Sequence, residues 1–481
     1  MQPLEPKIIN NIGIYGLIRQ AEVDDSLVPD GAVTEAINVH FDRKGAVTLR
    51  EGLTGIGSQI SSGYSCLGLY NALFSDSSKN CLLSVFSDGT NNDIYTSTGG
   101  NWSKTLQDDT AGAKTRFVTF SDRVIRVNGQ DAMKVWDGDG AWDTSSNPIN
   151  PDDMVSYPTK YIERYKARVY TAGNSTYPDR LFYSSVVDSS GNITWTPGTD
   201  YVDISPNDGE NISALKRFGT ELLVFKPNYI YRFTTSGVDP NALIKIGTRS
   251  QESVVEGKKG IYFHNDNGFY LYNGGYPTEK SRPISDFVDA IPYSYYDDIT
   301  GWADEDHIYW SVGDLTVNGK SYTNVVLRYT ESADIWTIYS YATELSFGTT
   351  YNNGSTIYRI VGDDNGYVYL FNSGNTDNGT AISYKLRTKW YDLGIKSYQK
   401  VLNDFSGICE KAQGSTVFYE IDDTNQPKQL GQLRKYITNF TGKSIKFHRI
   451  RFHLRGISEQ EPFVFQGFEL LKLFNEGYIK Q

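Results

Sequence analysis

The side chains able to do chemistry are few and dispersed in this 481-residue chain. Five histidines, His40, His264, His307, His448 and His453, lie far apart and sit mostly beside strand-like aromatics, where packing is the usual role. Three cysteines, Cys66, Cys81 and Cys409, form no Cys-x-x-Cys. An odd, scattered set reads as reduced core thiols, not a disulfide framework or a zinc site. "DGDGAWD", Asp137 to Asp143, resembles the start of a calcium loop, but the ligand positions then fall on Ala141 and Pro148, where a bidentate Glu is required. A tight turn between strands is expected there. The Gly-x-Ser-x-Gly elbow, the phosphate loop and His-Glu-x-x-His are all absent. Glycoside cleavage needs two carboxylates about 5–10 Å apart. With 57 acidic residues a pair stays open, yet the Asp-containing turns of sialidase propellers occur only in damaged form, as "YTSTGGNW" and "VVDSSGNITW". No catalytic residue, metal site or cofactor is expected, and the reading is of a non-enzyme.

What must carry any site is a repeat. "HNDNGFYLYNGG" at 264–275 returns as "GDDNGYVYLFNSG" at 362–374. Equivalent positions recur at Trp136, Tyr183, Phe233, Tyr272, Tyr329 and Phe371, with an irregular first copy near Ser97. The intervals run from 39 to 57 residues and average about 46, taking 371 minus 97 over six intervals. Asn-Gly and Asp-Gly turns join alternating runs of Tyr, Phe, Trp, Val, Ile and Thr, the signature of hairpins on a half-buried pleated surface. Four-stranded units at this period are propeller blades. The fold class is therefore all-β: a propeller of about seven four-stranded blades over 61–380. Six blades are the alternative count, and a stack of sandwiches the alternative fold.

The flanks break the rhythm. Residues 1–60 read as an arm and a hairpin, "INVHFDRKGAVTLREGL", turning at Lys44-Gly45 and expected to close the ring. "SGNTDNGT", 373–380, reads as a linker, and 381–481 as a β-sandwich of long strands. "SDFVDAIP" is the best helix, with Ser285 as its expected cap and Phe287, Val288 and Ile291 on one face. No apolar run reaches 18 residues and the N-terminus is not a secretory signal, so no membrane insertion is expected. Net charge is −11, but residues 376–481 carry 16 Lys and Arg against 11 Asp and Glu, a net of +5, which leaves −16 on 1–375. In "KSIKFHRIRFHLR" a bulge at His448-Arg449 would bring Ile445, Phe447, Ile450, Phe452 and Leu454 to the core side. Lys446, Arg451, His453 and Arg455 would then stand outside, with Arg449 nearby. Such a row is a solvated face, a phosphate contact, or a contact with an acidic neighbour; the last is the expectation.

One ordered succession carries more. "PDRLFYSSVVDSSGNITWTP", "YVDISPNDGENISALKRFGTELLVFKPNYIYRFT", "GIYFHNDNGFYLYNGG" and "SRPISDFVDAI" span roughly 160–292. With "NVHFDRKGAVTLREGL" and "YKLRTKWYDLG" more loosely, this resembles the β-propeller tail proteins of short-tailed bacteriophages, called tail hub, nozzle or packaged-DNA stabilisation proteins. The resemblance implies a virion structural protein, made in the host cytoplasm and assembled with itself into a ring, usually of six. That ring lies below the portal and adaptor, beside other tail proteins. It would continue the DNA channel without sequence-specific binding, retain the packaged genome and open for ejection. An acidic lumen would let phosphates slide. The alternative is a carbohydrate-binding or carbohydrate-cleaving propeller acting at the host cell surface.

Overall fold

The computed structural model describes residues 2–478 except 21–23, 42–44, 144–147, 235–236, 240–242, 395, 412–414, 423, 425, 435 and 459–463. Seven sheets radiate from one axis. Blade 1 holds Ser65–Ala72, Cys81–Ser87, Asn91–Ser97 and Ser103–Thr110. Blade 2 holds Arg116–Phe120, Arg123–Val127 and Lys134–Trp136 among the described residues, and Asp143 forms an isolated bridge with Val135. Blades 3, 4 and 5 begin at Tyr161–Tyr165, Ala214–Phe218 and Val255–Gly257, and each has four strands. Blade 6 runs from Thr300–Ala303 to Ile335–Ser340. Blade 7 takes Leu345–Asn352, Ile357–Asp363 and Val368–Phe371, and its outermost strand is the N-terminal Leu53–Gly55. The first strand of blade 7 packs beside that of blade 1, so the ring closes. The fold is a β-propeller with seven blades.

The packing explains why the middle strands read as near-continuous apolar runs. A strand's side chains alternate between faces, and a blade is buried on both. In "CLLSVF", Leu82 and Phe86 join the cluster shared with blade 7, while Cys81, Leu83 and Val85 join the one shared with blade 2. In "ELLVF", Leu222 and Val224 face blade 3, and Leu223 and Phe225 face blade 5. Cys66, Cys81 and Cys409 are buried and form no disulfide.

The repeated residues Trp136, Tyr183, Phe233, Tyr272, Tyr329 and Phe371 all lie on the third strand of successive blades. Five of them face the preceding blade. Tyr183 does not: it pairs with Tyr170 and packs toward blade 4. Its neighbour Ser184, hydrogen-bonded to Val169, holds the equivalent place. A one-residue offset along a strand flips the face.

Both ends of the chain build the second body. One sheet sets Tyr436–Phe440 and Ile445–Phe447 against Tyr398–Lys411. Val464–Tyr478 follows, and then the N-terminal Gln2–Leu4, Lys7–Asn10 and Val47–Leu49. The other runs Lys428–Gln432, Thr416–Ile421, Ile450–Ser458, Thr380–Thr388 and Val33–Ile37, which touches blade 6. Between them Phe405 stacks on Phe452 at 4.8 Å and packs on Phe468 at 5.0 Å. The hairpin Val39–Phe41/Val47–Leu49 thus belongs to the sandwich and does not close the ring; the strand just after it does. The expected tip residue Lys44 lies outside the described residues. The linker is structured: Thr376–Asp377 pairs with Thr380–Thr388 through a turn at Asn378 (φ 48°) and Gly379 (φ 91°), the positive-φ pair of a tight hairpin. In the helix Ser285–Val288, Ser285 is the first helical residue and its side chain does not cap, while Phe287, Val288 and Ile291 are buried. "DGDGAWD" is a turn that stacks Trp142 on Trp136 at 5.6 Å.

Candidate functional site

The basic stretch is the first place to look. Ile445, Phe447, Ile450, Phe452 and Leu454 are all buried in the sandwich core. No bulge achieves this. Ile445–Phe447 pairs in one sheet and Ile450–Ser458 in the other, so the chain crosses between sheets at His448-Arg449. Crossing resets the two-residue period as a bulge would.

The charges are not an exposed row. Arg451 is 5% exposed and His453 3%. Arg451 meets Glu420 at 2.5 Å and Asp25 at 3.1 Å, and its guanidinium lies 4.2 Å over Trp390. His453 Nε2 lies 3.3 Å from Glu420. Arg449 is 3.7 Å from Asp24 and also stacks on Trp390. Lys446 pairs with Glu476 at 2.8 Å, and Arg455 is half-buried over Phe418. Burial opposes ionisation of Glu420, but the hydrogen bond from His453 and the charge of Arg451 outweigh it and hold the carboxyl down to about 2. Burial pushes His453 below the ordinary imidazole range. The acidic partners of this row lie on its own chain: Glu420 and Glu476 in the sandwich, and Asp24 and Asp25 of the N-terminal segment. Arg451 and His453 are therefore buried and not part of an exposed row, Arg449 and Arg455 are half-buried, and Lys446 is exposed.

The propeller axis is the second place. At one end of the channel, inner-strand side chains reach across it. Arg116 of blade 2 bonds Glu252, just ahead of blade 5, through Nε and Nη2, both at 2.6 Å. Lys114 reaches Asp298 at 2.9 Å and the Asp297 carbonyl at 2.8 Å, just ahead of blade 6. Burial disfavours the Glu252 anion, but Arg116 and Lys114 outweigh that and keep it ionised. These ties bridge opposite blades and leave a polar funnel of about 370 Å³.

The third place is a groove of about 510 Å³ between blades 6 and 7, lined by Glu51, Asp304, Glu305, Asp306, His307 and Arg359 among others. Burial and the charge of Asp304 push the Glu51 carboxyl up. Asp304 is held well below the usual range: burial opposes this, but the hydrogen bond and charge of His307 prevail. A raised acid beside a held carboxylate is the pattern of an acid/base pair. Both oxygens of Asp304, however, already accept hydrogen bonds. Oδ1 accepts from the amides of Asp306 and His307 and contacts His307 Nδ1, and Oδ2 accepts from Tyr309. Asp304 is the anchor of its turn: Oδ1 is fully engaged by its own loop, and Oδ2 keeps one lone pair beyond the bond from Tyr309. Among the described residues no group of three His, Cys, Asp or Glu could hold a metal ion.

No protein-family model matches the chain, and no curated protein does. Solved structures do resemble it. The Pan2 WD40 domain of Neurospora crassa matches at TM-score 0.40 and 7% identity, covering 69% of this chain and 97% of that one. BamB from Moraxella catarrhalis matches at 0.39 and 11%, covering 70% and 96%. Sqt1 of Saccharomyces cerevisiae matches at 0.41 and 10%, covering 68% and 100%. The class that fold and topology define is a seven-bladed propeller joined to a sandwich laced from both chain ends.

Proposed function

We propose that the protein is a structural component of a bacteriophage tail, a nozzle or hub subunit that forms a ring below the portal and adaptor, retains the packaged genome and opens for ejection. The observation that carries this reading is the resemblance itself. Its core stretch, 160–292, maps onto blades 3 to 5 and the short helix that follows, and its two outlying stretches both lie in the sandwich. Two features favour a scaffold that bears load. Strands from both ends of the chain interlock in one sandwich, and an N-terminal strand also closes the propeller. The axis of each propeller is tied across by Arg116 and Lys114, so a DNA path would run between copies, around which a head-to-tail contact must close. Residues 1–375, with a net of −16, supply acids for the lining of such a path.

The second reading, a propeller that binds or cleaves carbohydrate at the host surface, is favoured by the groove beside Glu51. Imaging of the purified protein with the connector proteins separates the two. Rings coaxial with the connector support the tail reading. Hydrolysis of a host polysaccharide that is lost in Glu51→Gln would replace it.

A further inference from the structure

The sandwich has one edge whose composition is unlike the rest of the molecule. From Thr424 to Ser458 the sequence contains no Asp or Glu and eight Lys or Arg. Those on and after the strand Ile450–Ser458 face their own chain, as described above. Lys446 and Arg449 are paired with Glu476 and Asp24. Lys428, Arg434 and Lys443 lie along the edge made by Lys428–Gln432 and Tyr436–Phe440, where each strand ends its sheet. The two strands sit together: Gly431 packs against Phe440, and Lys443 Nζ bonds the Leu430 carbonyl at 3.3 Å. Lys428, Arg434 and Lys443 are exposed, and among the described residues none has a carboxylate within ion-pair distance. Between them Tyr436 is 65% exposed and Ile437 58%.

We propose that this edge is the surface by which one copy docks on the next, with the acidic groove between blades 6 and 7 as its seat; the proposal rests on the ring reading. An apolar centre with a charged rim is the anatomy of a protein interface. Nucleic acid fits less well, because phosphates have no use for an exposed isoleucine and aromatic at the centre of the patch. The complementary charge lies on the same chain. The groove presents Glu51, Asp304, Glu305 and Asp306 against a single arginine, and Glu305 is 85% exposed. Edge and groove are different surfaces, so the contact is heterologous and can close a ring. Opposed charges on the two faces also set the direction in which copies add.

The test measures assembly of the full chain by analytical ultracentrifugation, alone and with connector proteins. Arg434→Glu with Lys443→Glu should raise the concentration needed for assembly at least tenfold, and so should Glu51→Lys with Glu305→Lys. All four sites are exposed, so thermal melts should match wild type. A chain carrying all four changes should assemble again, because both faces are reversed together. Assembly of either double variant at the wild-type concentration, or no recovery in the fourfold variant, overturns the proposal and leaves the ring reading standing. Loss of salt-sensitive duplex DNA binding in Arg434→Glu/Lys443→Glu with unchanged assembly assigns the edge to DNA and overturns it too. A wild-type chain that is monomeric under every condition refutes the ring reading itself.

Discussion

Arg451 offers the sharpest energetic test, because its environment is the reverse of an exposed interface charge. Its side chain is 6% exposed and holds two carboxylates, Glu420 at 2.5 Å and Asp25 at 3.1 Å, while stacking on Trp390. Glu420 is as deeply buried, at 5%. Replacing Arg451 by Met keeps most of the aliphatic stem and removes the charge. Glu420 is then left beside His453, which burial keeps below the ordinary imidazole range and so largely neutral at pH 7. Breaking a buried pair by removing one partner costs about 3–5 kcal/mol, chiefly through the charge left behind. Asp25, one-fifth exposed, adds little once solvent screens it. Arg455→Met removes a half-buried contact with Phe418 and should cost under about 1 kcal/mol. Urea denaturation of the three chains measures this, with Glu420→Gln and Arg451→Met/Glu420→Gln completing a double-mutant cycle. The double variant should be far less destabilised than the sum of the singles. An Arg451→Met chain within about 1 kcal/mol of wild type, or strict additivity in the cycle, would refute the account of this cluster.

Acid should destabilise the fold through histidines that are buried in the neutral form. Burial holds His40 and His264 neutral, with pKa values near 3, against 6.5 for the free side chain. Their folded values are depressed, so their stabilisation is complete above pH 6.5 and is lost as pH falls from there toward 3, at about 1.4 kcal/mol per pH unit each. Unfolding free energies between pH 6.5 and 5 should show this contribution, and His264→Phe should remove about 1.4 kcal/mol per pH unit from the slope. Arg116→Met should cost about 3 kcal/mol by leaving buried Glu252 with only the more distant Lys114 and should speed amide exchange in the first strands of blades 2 and 5 more than in blade 7. Leu53→Ala, in the strand that closes the ring, should cost about 2–5 kcal/mol, and limited proteolysis should then cut first around blade 7.

The repeat was legible because each blade's middle strand is buried on both faces and its third strand tends to end in an aromatic. Such signals are local. Tyr183 kept the composition but lost the phase, and only the pairing of Val169 with Ser184 reveals the offset. "KSIKFHRIRFHLR" disclosed its five core residues, yet a bulge and a crossing between sheets leave the same pattern in sequence. Which side of that strand met solvent was not legible at all. Its cover is Asp25, 426 residues away. The N-terminal hairpin was visible from its turn, but hairpin residues do not name the strand they will pair with. The groove escaped notice for the same reason: Glu51 and Asp304 are brought together only when Leu53–Gly55 closes blade 7 beside blade 6.

The most direct test of the central claim is an electron cryo-microscopy reconstruction of the intact particle at the base of the connector. The account predicts several copies of the propeller and sandwich in a closed ring coaxial with the DNA, the groove of each beside the Tyr436–Phe440 edge of its neighbour. A single copy on the tail, or copies placed at the periphery away from the axis, would contradict it.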